Sequence, residues 1–296
     1  MFECRTPKNQ QEFDQYYFLR WKILREPLQQ ELGSEKDELE SQSVHRAIFD
    51  NNGNVIAVGR LHYTEAFEAQ IRYMAVSEDY QGKGLGQQII STLEQYVVEL
   101  GIKKIRLKSR EIAVNFYEQQ GYLNLGFSHL LHNQVRHFLM EKELSQKKAH
   151  LESLSTKLQH VWHETIPLSK AMNIAIGYYD RKKLVTSCDV AFNKNLHNTM
   201  FAGSVYTLAT LTGWGWVYLW LQQEKIAGDI VLADANIRYH APIDNVAFAQ
   251  TGCSFNSGGY DKLRLKEKAK FTIEVKVMNG DKVAATFKGL YFVLPK

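Results

Sequence analysis

A chain of 296 residues is long for one hydrophobic core and comfortable for two. With 45% hydrophobic residues, 23% charged and only five prolines, both halves should be globular, which excludes a disordered or low-complexity protein. The net charge of +4 is unevenly shared: through Leu144 there are 17 Lys+Arg against 20 Asp+Glu, and the remainder has 19 against 12, so the second half is the basic one.

Three cysteines, Cys4, Cys188 and Cys253, are odd in number and far apart, giving neither a metal spacing nor a disulfide framework. The N-terminus has no apolar signal core, and the longest apolar run, 214–221, is too short to span a bilayer. A soluble, cytoplasmic protein without a membrane segment or a metal is expected. Lys262, Arg264, Lys266, Lys268 and Lys270 alternate with other residues, and at strand period this would put the charges on one side. No zinc-finger, helix-turn-helix or RNA-binding signature accompanies them, so nucleic acid is not an expected partner.

In the first unit, residues 1–144, the spacing predicts a helix over 10–31 with Phe13, Tyr17, Trp21 and Leu24 on one face. Strands at 45–50 and 55–63 follow, joined at the hairpin signal Asn51-Asn52-Gly53. A third strand, 71–76, leads through Gln81-Gly82-Lys83-Gly84-Leu85-Gly86 into a helix at 87–100. Glycines there let successive amides turn toward an anion at a helix start, and a pyrophosphate is the natural guest.

The Gln-x-x-Gly-x-Gly pattern directly after a strand resembles the acyl-CoA pyrophosphate loop of the GNAT acetyltransferase superfamily. Farther on, a strand at 105–108 precedes Asn115-Phe116-Tyr117 and Gly121-Tyr122, which resemble that family's second signature helix. The resemblance implies an acetyl-CoA-binding fold. Met74, Val76, Gln81, Gly82, Lys83, Gly84, Gly86 and Asn115 would contact the cofactor, and Tyr117 would be the general acid for the leaving thiolate. Tyr117 as a packed aromatic bracing the helix is the competing reading. Glu65, Glu68 and Glu111 are candidate bases by position alone, and the acceptor is not legible.

Residues 145–157 lack Gly and Pro and read as a short helical linker. The second unit, 158–296, opens with a helix around 158–165, strands at 174–179 and 184–191, and then the stretch 193–223. That stretch is a polar loop running into roughly six turns of helix that are apolar almost all round, so the helix must be buried on most sides. Asn198 or Thr199 could cap it, and Ala202-Gly203-Ser204 keeps its first turn small enough for a polarised oxygen to approach free amides. Strands at 229–240, 246–256, 266–278 and 283–294 would wrap round it. A long central helix enclosed by an antiparallel sheet is the hotdog arrangement, and the whole chain is therefore expected to be α+β, a GNAT-like unit followed by a hotdog.

No Asp or Glu occurs between Asp189 and Glu224. HETIPLSKAM, the 193–216 segment, DANIRYHAPI and FKGLYFVLPK together resemble a narrow hotdog branch found alone or fused behind a GNAT domain, whose associated activity is decarboxylation of malonyl-acyl carrier protein. The resemblance implies Asn195 as the catalytic amide, amides around Gly203 and Ser204 as an oxyanion hole, an acidic acyl carrier protein as partner, and a homodimer. Asn195 as a plain turn residue, and His197 as a substrate donor or a loop-bonding residue, stay open. Asp234 is either the base of a hydrolase or an anchor for the Asn loop. An acyl-CoA or acyl-carrier thioesterase beside an active acetyltransferase, or a non-catalytic acyl-CoA sensor, are the alternatives.

Overall fold

The computed structural model describes residues 2–65, 68–144, 149–252 and 258–296. Cys253 and the expected strand end at 253–256 lie outside them, as do residues 145–148 of the expected linker. The chain divides into two compact units, Met1–Ser145 and Gln146–Lys296. Among the described residues no helix is long and apolar enough to cross a membrane.

The first unit runs β1 (Glu3–Arg5), α1 (Gln10–Leu24), β2 (Val44–Phe49), β3 (Val55–Glu65), β4 (Glu68–Val76), α2 (Leu85–Val98), β5 (Lys104–Arg110), α3 (Val114–Gln119), β6 (Leu123–Leu131) and β7 (Val135–Glu143). Its sheet has the order β1-β2-β3-β4-β5-β7-β6, and β4 with β5 is its parallel pair. That pair is bonded only from Glu68 to Ile71 against Lys104 to Leu107, so beyond these residues the two strands part and leave an opening in the sheet.

Helix α1 is shorter than expected. Arg25 leaves helical geometry at φ −126° and Pro27 follows in a 3-10 turn, where a continuing α-helix would lose a donor. The buried face also differs from the expected one: Tyr16, Leu19 and Arg20 point inward, at i, i+3 and i+4. Arg20 and Arg60 are both fully buried. Arg20 donates two bonds to Glu40 at 2.8 and 2.9 Å, and Arg60 pairs with Glu40 at 2.5 Å and with Asp37. Burial alone would raise the Asp37 carboxyl, but Arg60 outweighs it and brings the pKa to about 2.

The second unit runs α4 (Ala149–Thr165), α5 (Pro167–Ala171), β8 (Ala175–Tyr179), β9 (Leu184–Cys188), α6 (Ala202–Glu224), β10 (Gly228–Tyr239), β11 (Ala247–Thr251), α7 (Gly258–Arg264), β12 (Ala269–Asn279) and β13 (Lys282–Pro295). The stretch 149–157 is thus the first half of one continuous helix, in which Leu158 and Trp162 are fully buried, rather than a separate connector. The antiparallel sheet has the order β10-β13-β12-β11-β9-β8 and packs around α6.

Helix α6 buries residues on every side, among them Leu208, Leu211, Trp216, Leu219 and Trp220. A fully buried Leu contributes roughly 1.5–3 kcal/mol relative to an exposed one, so this helix is the centre of the unit's stability. Gly213 lets Tyr291 lie against the helix backbone, where its hydroxyl donates to the Thr210 carbonyl at 2.9 Å. Trp214, half-buried, donates through its ring nitrogen to Ile230 O at 3.2 Å and stacks on Tyr218.

The expected basic strand face does not form. Lys262 and Arg264 belong to α7, Lys266 sits in a left-handed turn at φ 56°, and β12 begins only at Ala269. Two residues apart on a helix is about 200° of rotation, so alternation at these positions scatters the charges instead of lining them up. All five cations are nevertheless exposed.

Candidate active sites

In the first unit, the loop between β4 and α2 carries Gly82 and Gly84 at φ 74° and 78°, a backbone region open to glycine at no steric cost. Gly84 is the N-cap of α2 and has no side-chain cap bond. Among the described residues no acceptor takes the amides of Gly82, Lys83, Gly84, Leu85, Gly86 or Gln87, the first turn closing only with Gln88 N to Gly84 O at 3.0 Å. Six free amides at a helix start form an anion cradle. A side chain at Gly82 or Gly84 would point into open space, so the cradle is uncovered.

The other expected cofactor residues fall around it. Gln81 donates to Val76 O at 3.3 Å and Lys83 to Asp79 O at 2.9 Å, so both side chains brace the loop from outside. Phe116 packs against Gly86, which holds α3, and with it the exposed Asn115, beside the start of α2. Tyr73, at φ 54°, and Met74 form a bulge opposite Gly59, and Met74 and Val76 lie on the part of β4 that has separated from β5.

A cavity of about 250 Å³ occupies the opening between those strands, with Tyr117 in its wall. Tyr117 is 7% exposed, contacts Phe116 and Tyr122 by ring edges, and has no hydroxyl partner among the described residues. Burial pushes its phenol well above the ordinary range, so it stays protonated and able to donate. Neither Glu68 nor Glu111, two of the three carboxylates expected by position, lines this cavity. Glu68 bonds Arg106 at 3.1 Å where the strands are still paired, Glu111 bonds Arg136 at 2.8 Å, and the side chain of Glu65 lies outside the described residues. The cavity wall instead contains His129 and His137, stacked at 4.8 Å. They are opposite each other across the β6–β7 hairpin, whose turn has His132 and Asn133 at positive φ. That turn and the symmetric spacing were the available signal.

In the second unit, Asn195 organises a tight loop. Its Oδ1 accepts from His197 N at 2.8 Å and from Thr199 N at 3.3 Å, and its Nδ2 donates one hydrogen to Thr199 Oγ1 at 3.1 Å. Asn198 takes the left-handed conformation at φ 58°, and a Lys194–Met200 bridge closes the loop's base. Asn195 thus holds the turn together, and its second Nδ2 hydrogen has no acceptor in the loop. Asn193 is buried and ties the loop to Met172 O and Asp189 O at 2.9 and 2.8 Å. His197 is exposed at the tip and receives no bond through its ring among the described residues.

The N-cap of α6 is Phe201, with no side-chain cap, so neither Asn198 nor Thr199 caps this helix. Phe201 N donates to Asn193 O at 2.7 Å, and the first helical bond is Val205 N to Phe201 O at 3.1 Å. The amides of Ala202, Gly203 and Ser204 have no acceptor among the described residues, nor does the Ser204 hydroxyl have a partner. Gly203 has a reason inside the chain: the Phe201 ring lies on it and would collide with a Cβ. Phe192, Leu196 and Phe201, at 65, 87 and 56% exposure, place an apolar rim around this polar mouth.

Asp234 is not part of it. On β10, Ile230, Leu232, Ala235 and Ile237 pack toward the core, and a bulge at Leu232/Asp234 leaves Asp234 exposed on the other face. Tyr239 is the β10 residue that reaches the mouth, its hydroxyl donating to Ala202 O at 3.0 Å. Asp234 is about 16 Å back along the strand from Tyr239 at some 3.3 Å per residue, so within one chain it does not anchor the Asn loop.

Residues 155–295 match the family described as "Putative thioesterase (yiiD_Cterm)", and residues 8–122 match the one described as "Acetyltransferase (GNAT) family". A crystal structure described as that of the "putative thioesterase from Shewanella oneidensis" is 42% identical, covering 49% of this chain and 99% of that one, with a TM-score of 0.47. The uncharacterized N-acetyltransferase YjcF of Bacillus subtilis is 24% identical over 136 residues, 46% of this chain and 96% of its own length. A crystal structure described as that of "putative N-acetyltransferase from Lactobacillus plantarum" is 18% identical, covering 49% of this chain and 99% of that one, with a TM-score of 0.45. The chain is a two-domain protein, a GNAT acetyltransferase domain followed by a hotdog domain that matches the family described as "Putative thioesterase (yiiD_Cterm)".

Proposed function

We propose that the hotdog domain decarboxylates malonyl-acyl carrier protein to acetyl-acyl carrier protein, and that the GNAT domain binds acetyl-CoA. The observation that carries the first reading is the set of three unpaired amides at Ala202, Gly203 and Ser204, at the start of a helix whose mouth has no carboxylate of its own. In this reaction the bond from the malonyl carboxylate to the α-carbon breaks and its electron pair moves onto the thioester as an enolate. Carbon dioxide leaves, and the α-carbon takes a proton from solvent. The amides and the second Nδ2 hydrogen of Asn195 would hold the enolate oxygen, while a nearby carboxylate would oppose the developing charge. No nucleophile or general base is required.

For the GNAT domain, the amide cradle from Gly82 to Gln87 suits a pyrophosphate, and Tyr117 suits the role of acid for the departing thiolate. A related solved structure, an aminoglycoside 6'-N-acetyltransferase, is described as complexed with coenzyme A. Two partners follow from the same reading. The outer edge of β10 has no strand partner among the described residues, and pairing with a second copy would cover it. The exposed cations from Lys262 to Lys270 would attract an acidic carrier protein.

A second reading, thioester hydrolysis, is favoured by the description of the matching family. Its base, Asp234, would have to arrive across a dimer interface. The full chain should convert malonyl-acyl carrier protein to the acetyl form, read by mass spectrometry, and Asn195→Ala should lower turnover about 10²–10³-fold. Release of free carrier thiol instead would establish the hydrolase and end the decarboxylase reading.

A further inference from the structure

The cavity beside Tyr117 is strongly cationic. Arg25, Arg72, Lys108 and Arg110 line it with the two histidines, and among the described residues no Asp or Glu does. Arg72 pairs with Asp37 at 3.2 Å, a carboxylate it shares with Arg60. Arg25 and Arg110 have no carboxylate partner among the described residues: Arg25 donates to Ser34 O at 3.0 Å and Arg110 to Leu24 O at 2.7 Å. Carbonyls satisfy donors without cancelling charge. Burial and the neighbouring Arg25 both lower the Arg110 pKa, which places two like charges together in a partly buried wall. The adjacent carboxylate that could relieve them, Glu111, is committed to Arg136. Such a pair is costly without an anion and becomes favourable with one, since guanidinium groups bind carboxylate and phosphate through paired, charge-assisted bonds.

The histidines supply a different end. His137 Nδ1 donates to Val135 O at 3.1 Å, which fixes the tautomer and leaves the Nε2 lone pair free. Burial first, then His129, Arg110 and Arg25, lower its pKa against the opposing backbone bond, so the ring is neutral and can take a proton. At about 250 Å³ the cavity is below the roughly 300–1,000 Å³ of a drug-sized site, which suits a small metabolite.

We propose that this cavity is the acceptor site for a small amine bearing a carboxylate or phosphate, its anion held by Arg25 and Arg110 and its nitrogen turned toward His129 and His137. The inference rests on the reading that this domain transfers an acetyl group from acetyl-CoA. The amine lone pair attacks the thioester carbonyl, a C–N bond forms as the C–S bond breaks, the ammonium proton passes to His137, and the thiolate takes the proton of Tyr117.

The test uses the full chain saturated with coenzyme A, titrated calorimetrically with 3-aminopropanoate, 2-aminoethyl phosphate, 2-aminoethanol and 1,4-diaminobutane, with acetyl transfer from acetyl-CoA assayed in parallel. At least one anionic amine should bind and be acetylated at least about tenfold better than 2-aminoethanol. Arg110→Gln and Arg25→Gln should each weaken its binding about 10- to 100-fold, while coenzyme A affinity, the check on folding, stays unchanged. Which anion wins distinguishes carboxylate from phosphate acceptors. Equal or better binding of the neutral amine or the diamine overturns the proposal, as does no binding of either anionic amine to a chain that binds coenzyme A. Tighter binding of malonyl-CoA than acetyl-CoA, erased by Arg110→Gln, also overturns it by putting the anion on the donor. Failure to bind coenzyme A would instead remove the acetyl-transfer reading itself.

Discussion

The two domains present the same device, a helix start with unpaired amides, in opposite surroundings. At α2 the amides are freed by two left-handed glycines, and a side chain at either of them would meet no neighbour. At α6 they are freed by a hairpin tied through Asn195 and Asn193, with the Phe201 ring lying on Gly203. On the proposed readings, the cradle at α2 would take a bulky, doubly charged group and the mouth at α6, beside an aromatic ring, a single polarised oxygen. Charge separates them as well: the α2 domain sets its chemistry beside buried arginines and carboxylates, and the α6 mouth is built from amides and apolar rings. The helix dipole is common to both, so selectivity comes from what surrounds it.

The largest expected effect tests whether the buried ions belong to the first domain's framework. Arg60→Leu should destabilise that domain by about 3–5 kcal/mol, because the half-buried Asp37 and Glu40 would be left with less compensation. Hydrogen exchange resolved by peptide should show faster opening in β3 and β4 and no change in α6. Equal loss of protection in both domains would break the contrast.

Tyr117→Phe should lower acetyl transfer by about 10²–10⁴-fold and leave thioester turnover at the α6 mouth unaltered, with little change in thermal stability because the hydroxyl has no protein partner to lose. An unchanged transfer rate would return Tyr117 to a packing role.

Glycine substitutions sharpen the comparison further. Gly203→Ala should cost about 1–3 kcal/mol of stability through collision with Phe201, and Phe201→Ala in the same chain should relieve most of that collision. Gly84→Ala meets no neighbour, but its φ of 78° is unfavourable for any residue with a Cβ, so the loss should appear as weaker coenzyme A binding. If Gly203→Ala is silent in urea unfolding, the α6 mouth is more open than the Phe201 contact implies.

The smallest effect is an acid one. Asp37 has its pKa lowered from 3.8 to about 2 in the folded state, so its contribution of about 2 kcal/mol is present above pH 4 and is lost as the pH falls toward 2. Stability of Asp37→Asn should accordingly depend less on pH than the parent between pH 4 and 2, measured by denaturant unfolding.

Much of this architecture was legible without coordinates. A helix apolar on all sides has to be enclosed, glycines in that spacing after a strand have to turn, and the absence of acid from 190 to 223 is a fact of composition. These are local properties, set by the backbone freedom and polarity of neighbouring residues. Long-range placement was not available in the same way. Asp234 was the best candidate base for a hydrolase, and only the bulge at Leu232 shows that it lies on the outer face, away from the mouth of its own chain. The cap of α6 passed from Asn198 or Thr199 to Phe201 because the helix begins only at Ala202, while Thr199 Oγ1 accepts from Asn195 Nδ2 inside the loop. Arg110, His129 and His137 meet through strand register, Arg110 opposite His137 and His137 opposite His129, and Arg25 joins them from the end of a distant helix at the opening where β4 and β5 separate past Ile71. Sequence by itself determined which segments must turn, cap or be buried. The tertiary structure decided which charges share a cavity, because that depends on strand register and on one-residue bulges that no local pattern of polarity encodes.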